Sequence, residues 1–257
     1  ALCGNTTGGN NVAVGNSSMC SNTTSQNNVA IGPLSLKTHT TGNDNVAIGA
    51  RAMCLSTTSY QNVAVGYAAL CSNDAGIANV AIGYQSLVSN TSNYNTAVGT
   101  SAMQSSTTAQ YNVGVGACAL QHNQTGCRNV AIGMWAMCGN SIGGATTNDS
   151  VAVGYRTMIS LCGGGANTAV GSEAMVPITT GTCNTAVGQS AAKCVTTGSR
   201  NVAIGVSSLL FNTTGDWNHA VGTLAQYSNT TGSCNVSLGG CTLYSNTTGQ
   251  QNTAIGW

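Results

Sequence analysis

Asn28-Val29-Ala30-Ile31-Gly32 decides the fold, because this pentapeptide recurs with few changes through the whole chain of 257 residues. Neighbouring copies end 17 residues apart, except for a spacing of 16 and one of 21. A short fixed period is the sequence signature of a repeat protein, in which each copy stacks on its neighbours. The glycines that end the copies are predicted to form one structural corner, and they are Gly15, Gly32, Gly49, Gly66, Gly83, Gly99, Gly116, Gly133, Gly154, Gly171, Gly188, Gly205, Gly222, Gly239 and Gly256.

Each repeat has the features of one coil of a β-solenoid. Val and Ile alternate with Ala in the pentapeptide, as in a β-strand. A small residue followed by Leu or Met comes three to four residues after most of the glycines and predicts a second short strand. Asn212-Thr213-Thr214-Gly215 and its equivalents have the composition of turns. The sequence therefore predicts an all-β parallel β-solenoid of about 15 coils with 17 residues per coil.

The domain organisation follows from the same count. We expect one solenoid domain over residues 1–257, with a shortened coil near 88–95 and an insertion near 139–150. Stacking places equivalent side chains about 4.8 Å apart, so Asn and Thr are expected to form hydrogen-bonded ladders along the axis. Rows of like charge would repel at this spacing, which accounts for a chain with only 4% charged residues.

The alternation leaves open which face of the strand points inward. We favour a core of Val/Ile and Leu/Met, with Ala lying against a flat neighbouring surface. The alternative has Val/Ile at a subunit interface. Thr96 and His219 occupy the Val position, which is compatible with contact with water there.

Composition excludes several classes of function. Six Lys and Arg are too few to neutralise nucleic-acid phosphates. Apolar runs are far shorter than the ~20 residues that span a bilayer. The acidic residues are dispersed and the three His are scattered, so we expect no enzyme, no catalytic residue, no metal site and no cofactor; the acidic residues are Asp44, Asp74, Asp149, Glu173 and Asp216.

Twelve cysteines indicate an oxidising, extracellular setting for a secreted or surface-attached protein. Cys3 and Cys20 occupy one row on adjacent coils, as do Cys54 and Cys71. Vertical neighbours lie within the Cα separation that a disulfide accepts, so both bonds are predicted. The other eight cysteines pair locally or between chains, and this choice stays open; they are Cys118, Cys127, Cys138, Cys162, Cys183, Cys194, Cys234 and Cys241.

Asn-X-Ser/Thr sequons are candidate glycosylation sites at several corners. They begin at Asn5, Asn22, Asn90, Asn212, Asn229 and Asn246. The repeat itself generates many such triplets, so their meaning depends on the source of the protein.

The run from Ser245 to Gly256, SNTTGQQNTAIG, together with residues 28–32, resembles the head repeats of trimeric autotransporter adhesins. It is also similar to the Asn-Thr-Ala-Ile-Gly repeats of phage tail-fibre-like proteins. The adhesin resemblance implies a left-handed parallel β-roll, with three chains side by side, at the tip of a surface fibre. It also implies binding to host matrix or cells. A cell-surface or glycan target is therefore expected as a partner beside copies of the chain.

The function expected from these features is that of an extracellular structural or adhesive fibre protein whose partners are copies of itself. Ala1 and Trp257 are one residue short of joining in phase, so copies are expected to stack end to end, unless the chain was cut from a longer array. Side-by-side association is the other route to a filament. The alternatives are an ice-binding protein that uses stacked Thr rows, or a receptor-binding trimer.

Overall fold

The computed structural model describes residues 1–139, 147–160 and 163–257. The chain forms two compact units, Ala1–Cys127 and Arg128–Trp257, which are described separately. Within the described residues each unit is built from three-residue strands and turns, without helices. The prediction of one domain over 1–257 stays a prediction.

The strands of each unit pair in parallel, each with the next along the chain. Val12 pairs with Val29 and Ala13 with Ala30, and the same register continues from coil to coil. The first unit contains β1 (Val12–Val14), β2 (Val29–Ile31), β3 (Val46–Ile48), β4 (Val63–Val65), β5 (Val80–Ile82), β6 (Thr96–Val98) and β7 (Val113–Val115). The second contains β8 (Val130–Ile132), β9 (Val151–Val153), β10 (Thr168–Val170), β11 (Thr185–Val187), β12 (Val202–Ile204), β13 (His219–Val221), β14 (Val236–Leu238) and β15 (Thr253–Ile255). The parallel β-solenoid is therefore confirmed.

The irregular spacings leave the strand register intact. In the repeat of 16 residues, β5 and β6 still pair Val80 with Thr96, because the corner of this coil is one residue shorter. There the Nδ2 of Asn90 donates to the carbonyl of Ser92, two residues on, whereas Asn73 reaches Gly76, three residues on. β8 and β9 pair in register across the spacing of 21, whose residues 140–146 lie outside the described residues.

The second wall of the coil is a turn, and the prediction of a second short strand is wrong. Non-glycine residues adopt a left-handed backbone at the second and fourth positions after the glycine, as at Leu34 (φ 62°) and Leu36 (φ 46°). Leu34 N–H donates to Asn16 of the preceding coil at 2.9 Å, and Leu36 N–H donates to Ala52 of the next at 3.0 Å. Each left-handed residue costs about 1–2 kcal/mol, a cost that these hydrogen bonds between coils offset.

The strand places Ala inside and Val/Ile outside, so the arrangement favoured from the sequence is wrong in this respect. Ala30, Ala47, Ala64 and Ala81 have no exposed surface, whereas Ile31 is 39% exposed. The turn wall supplies the large side chains of the core, and as predicted its Leu/Met row is buried: Met19, Leu36, Met53, Leu70, Leu87, Met103, Leu120, Met158, Met175 and Leu209.

The thin core explains this orientation. Gly114 takes the place of Ala in β7, and a Cβ added there would lie 3.1 Å from the Cγ of Met103. One Leu or Met side chain therefore already fills the space between the walls. Val or Ile at the Ala position would overpack the coil.

The corner glycines adopt a backbone that other residues rarely accept. Gly66 has φ 133°, and a Cβ on it would lie 2.5 Å from the carbonyl oxygen of Gly83 on the next coil. The glycine is thus required both by its dihedral angle and by the close approach of the next coil.

We expect Gly66→Ala to lower the free energy of unfolding by about 3 kcal/mol or more, because strain and a backbone clash add together. Urea unfolding measures the change. The control is Gly9→Ala, since a Cβ at Gly9 meets nothing within 4 Å. Equal stability of the two variants would contradict this account of the corner.

Candidate interaction surface

The outward side chains of the strands form one largely apolar surface in each unit, which we call the Val/Ile face. It consists of the first and third residue of every strand. In the first unit these are Val12, Val14, Val29, Ile31, Val46, Ile48, Val63, Val65, Val80, Ile82, Thr96, Val98, Val113 and Val115. In the second unit they are Val130, Ile132, Val151, Val153, Thr168, Val170, Thr185, Val187, Val202, Ile204, His219, Val221, Val236, Leu238, Thr253 and Ile255.

The Val/Ile face has an unusual composition for a surface exposed to water. It contains no Asp, Glu, Lys or Arg in either unit. Ile48 and Ile82 remain 37% and 39% exposed, and Val14 reaches 56%. A contiguous exposed apolar patch is characteristic of association sites, so this face is a candidate interaction surface.

Tyrosines border the face in the first unit. Tyr67 and Tyr84 follow the corner glycine, and their rings stack with centroids 5.4 Å apart. Tyr94 and Tyr111 precede their strands by two residues and stack at 5.2 Å. All four are exposed. Aromatic residues are enriched at protein interfaces, so the tyrosines extend the candidate interaction surface at its edges.

A buried asparagine ladder lies directly beneath each strand start. Asn62 N–H and Nδ2 both donate to Asn45 Oδ1 at 3.1 Å, and its Nδ2 also donates to Gly76 O at 2.8 Å. Asn79 makes the same bonds to Asn62 Oδ1. Every polar atom of such a side chain has a partner, which is the condition for polar groups inside a core. Ser150 keeps the ladder connected, because its Oγ accepts from Asn167 N–H at 3.2 Å.

Further ladders run along the Asn-Thr-Thr-Gly corner. Asn229 Nδ2 donates to Asn212 Oδ1 at 2.9 Å. Thr213 Oγ1 donates to the Thr230 carbonyl at 3.1 Å. The predicted Asn and Thr ladders are therefore confirmed. The second Thr of a corner, such as Thr214, is exposed instead, although Thr58 Oγ1 also donates to the Asp74 carbonyl at 3.4 Å.

Two departures from the repeat compensate each other in the core. Gln226 stands in the Leu/Met row and Ser237 in the Ala row. Both are buried, and Gln226 Nε2 donates to Ser237 Oγ at 3.1 Å and to the His219 carbonyl at 3.1 Å. A polar residue is tolerated in this core because its partner on the opposite wall is polar as well.

Charged residues of the second unit form ion pairs between coils. Arg128 Nε lies 2.5 Å from Asp149 Oδ1, and Glu173 Oε2 lies 2.7 Å from Lys193 Nζ. The hydrogen bond from Arg128 lowers the pKa of Asp149, and the hydrogen bond from Lys193 lowers the pKa of Glu173. Opposite charges thus occupy neighbouring coils, as the spacing argument requires.

The cysteines predicted to form disulfides carry free thiols in the structure. Cys54 and Cys71 are buried together with Ala68, whereas Cys3 is exposed and Cys20 half-buried. Burial raises the pKa of the Cys71 thiol, so little of it is the reactive thiolate at neutral pH. Both disulfides stay predictions. Cys162 lies outside the described residues.

Most of the candidate glycosylation sites lie inside the coil. Asn22, Asn90, Asn212 and Asn229 are buried. The Nδ2 of each, the atom that would carry the glycan, donates within the corner or to the neighbouring coil. Asn5 is exposed and Asn246 half-buried. In the folded chain these two positions, Asn5 above all, are the ones at which the glycosylation prediction is sterically compatible.

His39 replaces a corner asparagine and makes the bond that the amide would make. Its Nε2 lies 2.7 Å from the Gly42 carbonyl, three residues on. The ring is buried, and burial lowers the pKa of His39 below its ordinary value. The neutral imidazole is therefore the form that the fold accepts.

Other kinds of site are not found in the part of the chain that the structure describes. It contains no enclosed cavity and no group of three His, Cys, Asp or Glu placed to hold a metal ion. No helix among these residues is long and apolar enough to cross a membrane. Comparison of the chain with protein-family models, curated proteins and solved structures gives no match.

We expect Asn62→Ala to lower the free energy of unfolding by about 3 kcal/mol or more, because the buried N–H and Nδ2 of Asn79 lose their acceptor and Asn45 Oδ1 keeps only the backbone N–H of residue 62. Urea denaturation provides the measurement. Asn16→Ala is the matched control, since Asn16 is exposed, its side chain accepts a bond from Ser17 Oγ at 2.9 Å, and its backbone bond to Leu34 is kept in the variant. A small effect at Asn62 would show that the ladder does not hold the coils.

His39→Asn is expected to reduce the dependence of the free energy of unfolding on pH between pH 7 and pH 5. The pKa of His39 is lowered in the fold, so the unfolded state takes up a proton, near the ordinary value of 6.5, that the folded state refuses. Wild-type stability should therefore fall as pH decreases from 7 to 5, and the variant should lose less. Urea unfolding across this range tests the difference, and parallel profiles would contradict it.

Proposed function

We propose that this protein is a structural fibre protein, extracellular in setting, that assembles side by side with copies of itself through the Val/Ile face. The observation that carries the proposal is the largely β-branched surface of the strands in each unit, which contains no Asp, Glu, Lys or Arg. Burial of apolar surface contributes about 25 cal/mol per Å², so covering this face is favourable.

A second copy is the partner that fits the surface best. The rows of the Val/Ile face repeat at the hydrogen-bonding distance between strands, about 4.8 Å. Another copy carries rows with the same spacing, so the side chains of two faces interdigitate along their length, as in a steric zipper. A partner without this period would match the rows only locally.

Electrostatics supports self-association as well. The face contains no charged residue that would have to be desolvated or would repel its counterpart. The stacked tyrosines at its edges in the first unit supply large, rigid contact area. End-to-end stacking, adhesion to a cell surface or glycan, and an adhesin-like trimer remain proposals within the same function class.

Ice binding is the second candidate. Exposed threonines such as Thr24, Thr41 and Thr58 occupy equivalent positions on adjacent coils. Their partners in the corner, such as Thr23 and Thr40, use their hydroxyls between coils. A thermal hysteresis assay on the monomeric protein distinguishes this function from the structural one.

The lateral contact is tested by placing charge on the face. We expect the wild-type protein to sediment as an oligomer. The double variant Ile48→Lys/Ile82→Lys, which alters the face of the first unit only, should dissociate at higher protein concentrations than the wild type, because two ammonium groups would be buried in an apolar contact. Sedimentation velocity over a range of protein concentrations provides the measurement.

The control variant carries the same added charge elsewhere. Thr41→Lys/Thr108→Lys alters two exposed corner residues that lie off the face, so it should remain oligomeric. A wild-type protein that stays monomeric at every concentration would contradict the proposal. So would equal dissociation of both variants.

A further inference from the structure

Six of the eight tyrosines form three stacked pairs on adjacent coils. We propose that these pairs are sites of oxidative cross-linking, in which a dityrosine bond joins one coil covalently to the next. The pairs are Tyr67 with Tyr84, Tyr94 with Tyr111, and Tyr227 with Tyr244. The inference does not depend on lateral association, because both partners of each pair belong to one chain.

The ring geometry favours coupling within a pair. The centroids are 5.4, 5.2 and 5.0 Å apart, and the interplanar angles are 14°, 6° and 4°. Nearly parallel rings at this centroid separation keep the two phenols of a pair next to each other. Two reactants held in this way react as if at very high local concentration.

The backbone fixes the arrangement of the pair Tyr94 and Tyr111. Tyr94 and Tyr111 have nearly identical left-handed dihedral angles, φ 59° and 58°, so their side chains leave the coil in the same direction. Tyr94 N–H donates to Ile77 O of the preceding coil at 3.0 Å, and this bond fixes the position of Tyr94 along the solenoid axis. The side chains remain 50% and 54% exposed, so an oxidant reaches both rings and the rings can tilt toward each other.

The reaction requires a peroxide and a haem peroxidase as the oxidant. Each phenol gives up one electron and one proton to the peroxidase, which leaves two phenoxyl radicals. A carbon–carbon bond forms between the carbons ortho to the two oxygens, and each of these carbons then loses its hydrogen as a proton to restore the phenol. In total, two tyrosines and one hydrogen peroxide give one dityrosine and two waters.

The cross-link would join two adjacent coils, whose separation is the local step by which a solenoid unfolds. Each coil contacts only its neighbours, so separation of one pair of coils disrupts the stack locally. A covalent bond between adjacent coils would prevent this separation. Tyr227 and Tyr244 would do the same near β14, where Phe211 also packs edge-on against Tyr227 at 5.1 Å.

Oxidation of the purified chain by a haem peroxidase and hydrogen peroxide, at high dilution, tests the inference. We expect dityrosine fluorescence, a loss of two hydrogen atoms per cross-link, and a product that remains a single chain on a denaturing gel. Treatment with a thiol reductant before mass measurement reverses any disulfide and leaves the carbon–carbon bond. The oxidised protein should unfold at a higher urea concentration than the starting protein.

Trypsin has no cleavage site between Arg51 and Arg128, a segment that contains two of the pairs, so peptide mapping with trypsin does not distinguish them. Variants therefore show which tyrosines form the cross-link. Tyr111→Phe should lose about one third of the fluorescence, since it removes one of three pairs. Tyr60→Phe removes a tyrosine outside the pairs and should change nothing. Equal losses in both variants, equal yield from urea-unfolded protein, or products linked mainly between chains would each overturn the inference.

Discussion

The buried asparagine ladder is the interaction on which the rest of each unit depends. Asn62 and its equivalents place an amide inside the coil, where an unpaired donor or acceptor is costly. The bond to the asparagine of the preceding coil removes this cost only when the two coils are in register. The ladder therefore fixes the strand register, and changes of coil length are taken up at the corner, as at Asn90.

The thickness of the core decides which surface the protein presents. Leu and Met of the turn wall fill the space between the walls, so the facing strand position accepts little more than Ala, and Gly114 faces Met103. Val and Ile then project outward in regular rows. The proposed lateral assembly and the border of stacked tyrosines both follow from this geometry.

Polar and charged residues are accommodated where a neighbouring coil supplies a complement. Gln226 bonds to Ser237 across the core, and Glu173 lies between Lys193 and Arg156 on the surface. His39 replaces a corner amide, but burial holds its pKa low and makes the fold sensitive to acid. The departures at Gln226 and Glu173 are thus balanced by residues elsewhere in the stack, and the one at His39 by a carbonyl of its own corner.

The sequence by itself determined the parallel solenoid, the coil length, the corner glycines and the Asn and Thr ladders, because a fixed period forces equivalent residues to superimpose. Only the tertiary structure decided the orientation of the strand. Alternation such as Val29-Ala30-Ile31 is the same whichever face is buried, and the choice depends on the side chains of the opposite wall. The tertiary structure also decided that the second wall is a turn. A small residue followed by Leu or Met fits a short strand as well as a turn, so the sequence alone did not distinguish them. The left-handed dihedral angles at residues such as Leu34 are stabilised by hydrogen bonds to other coils, which local sequence does not encode.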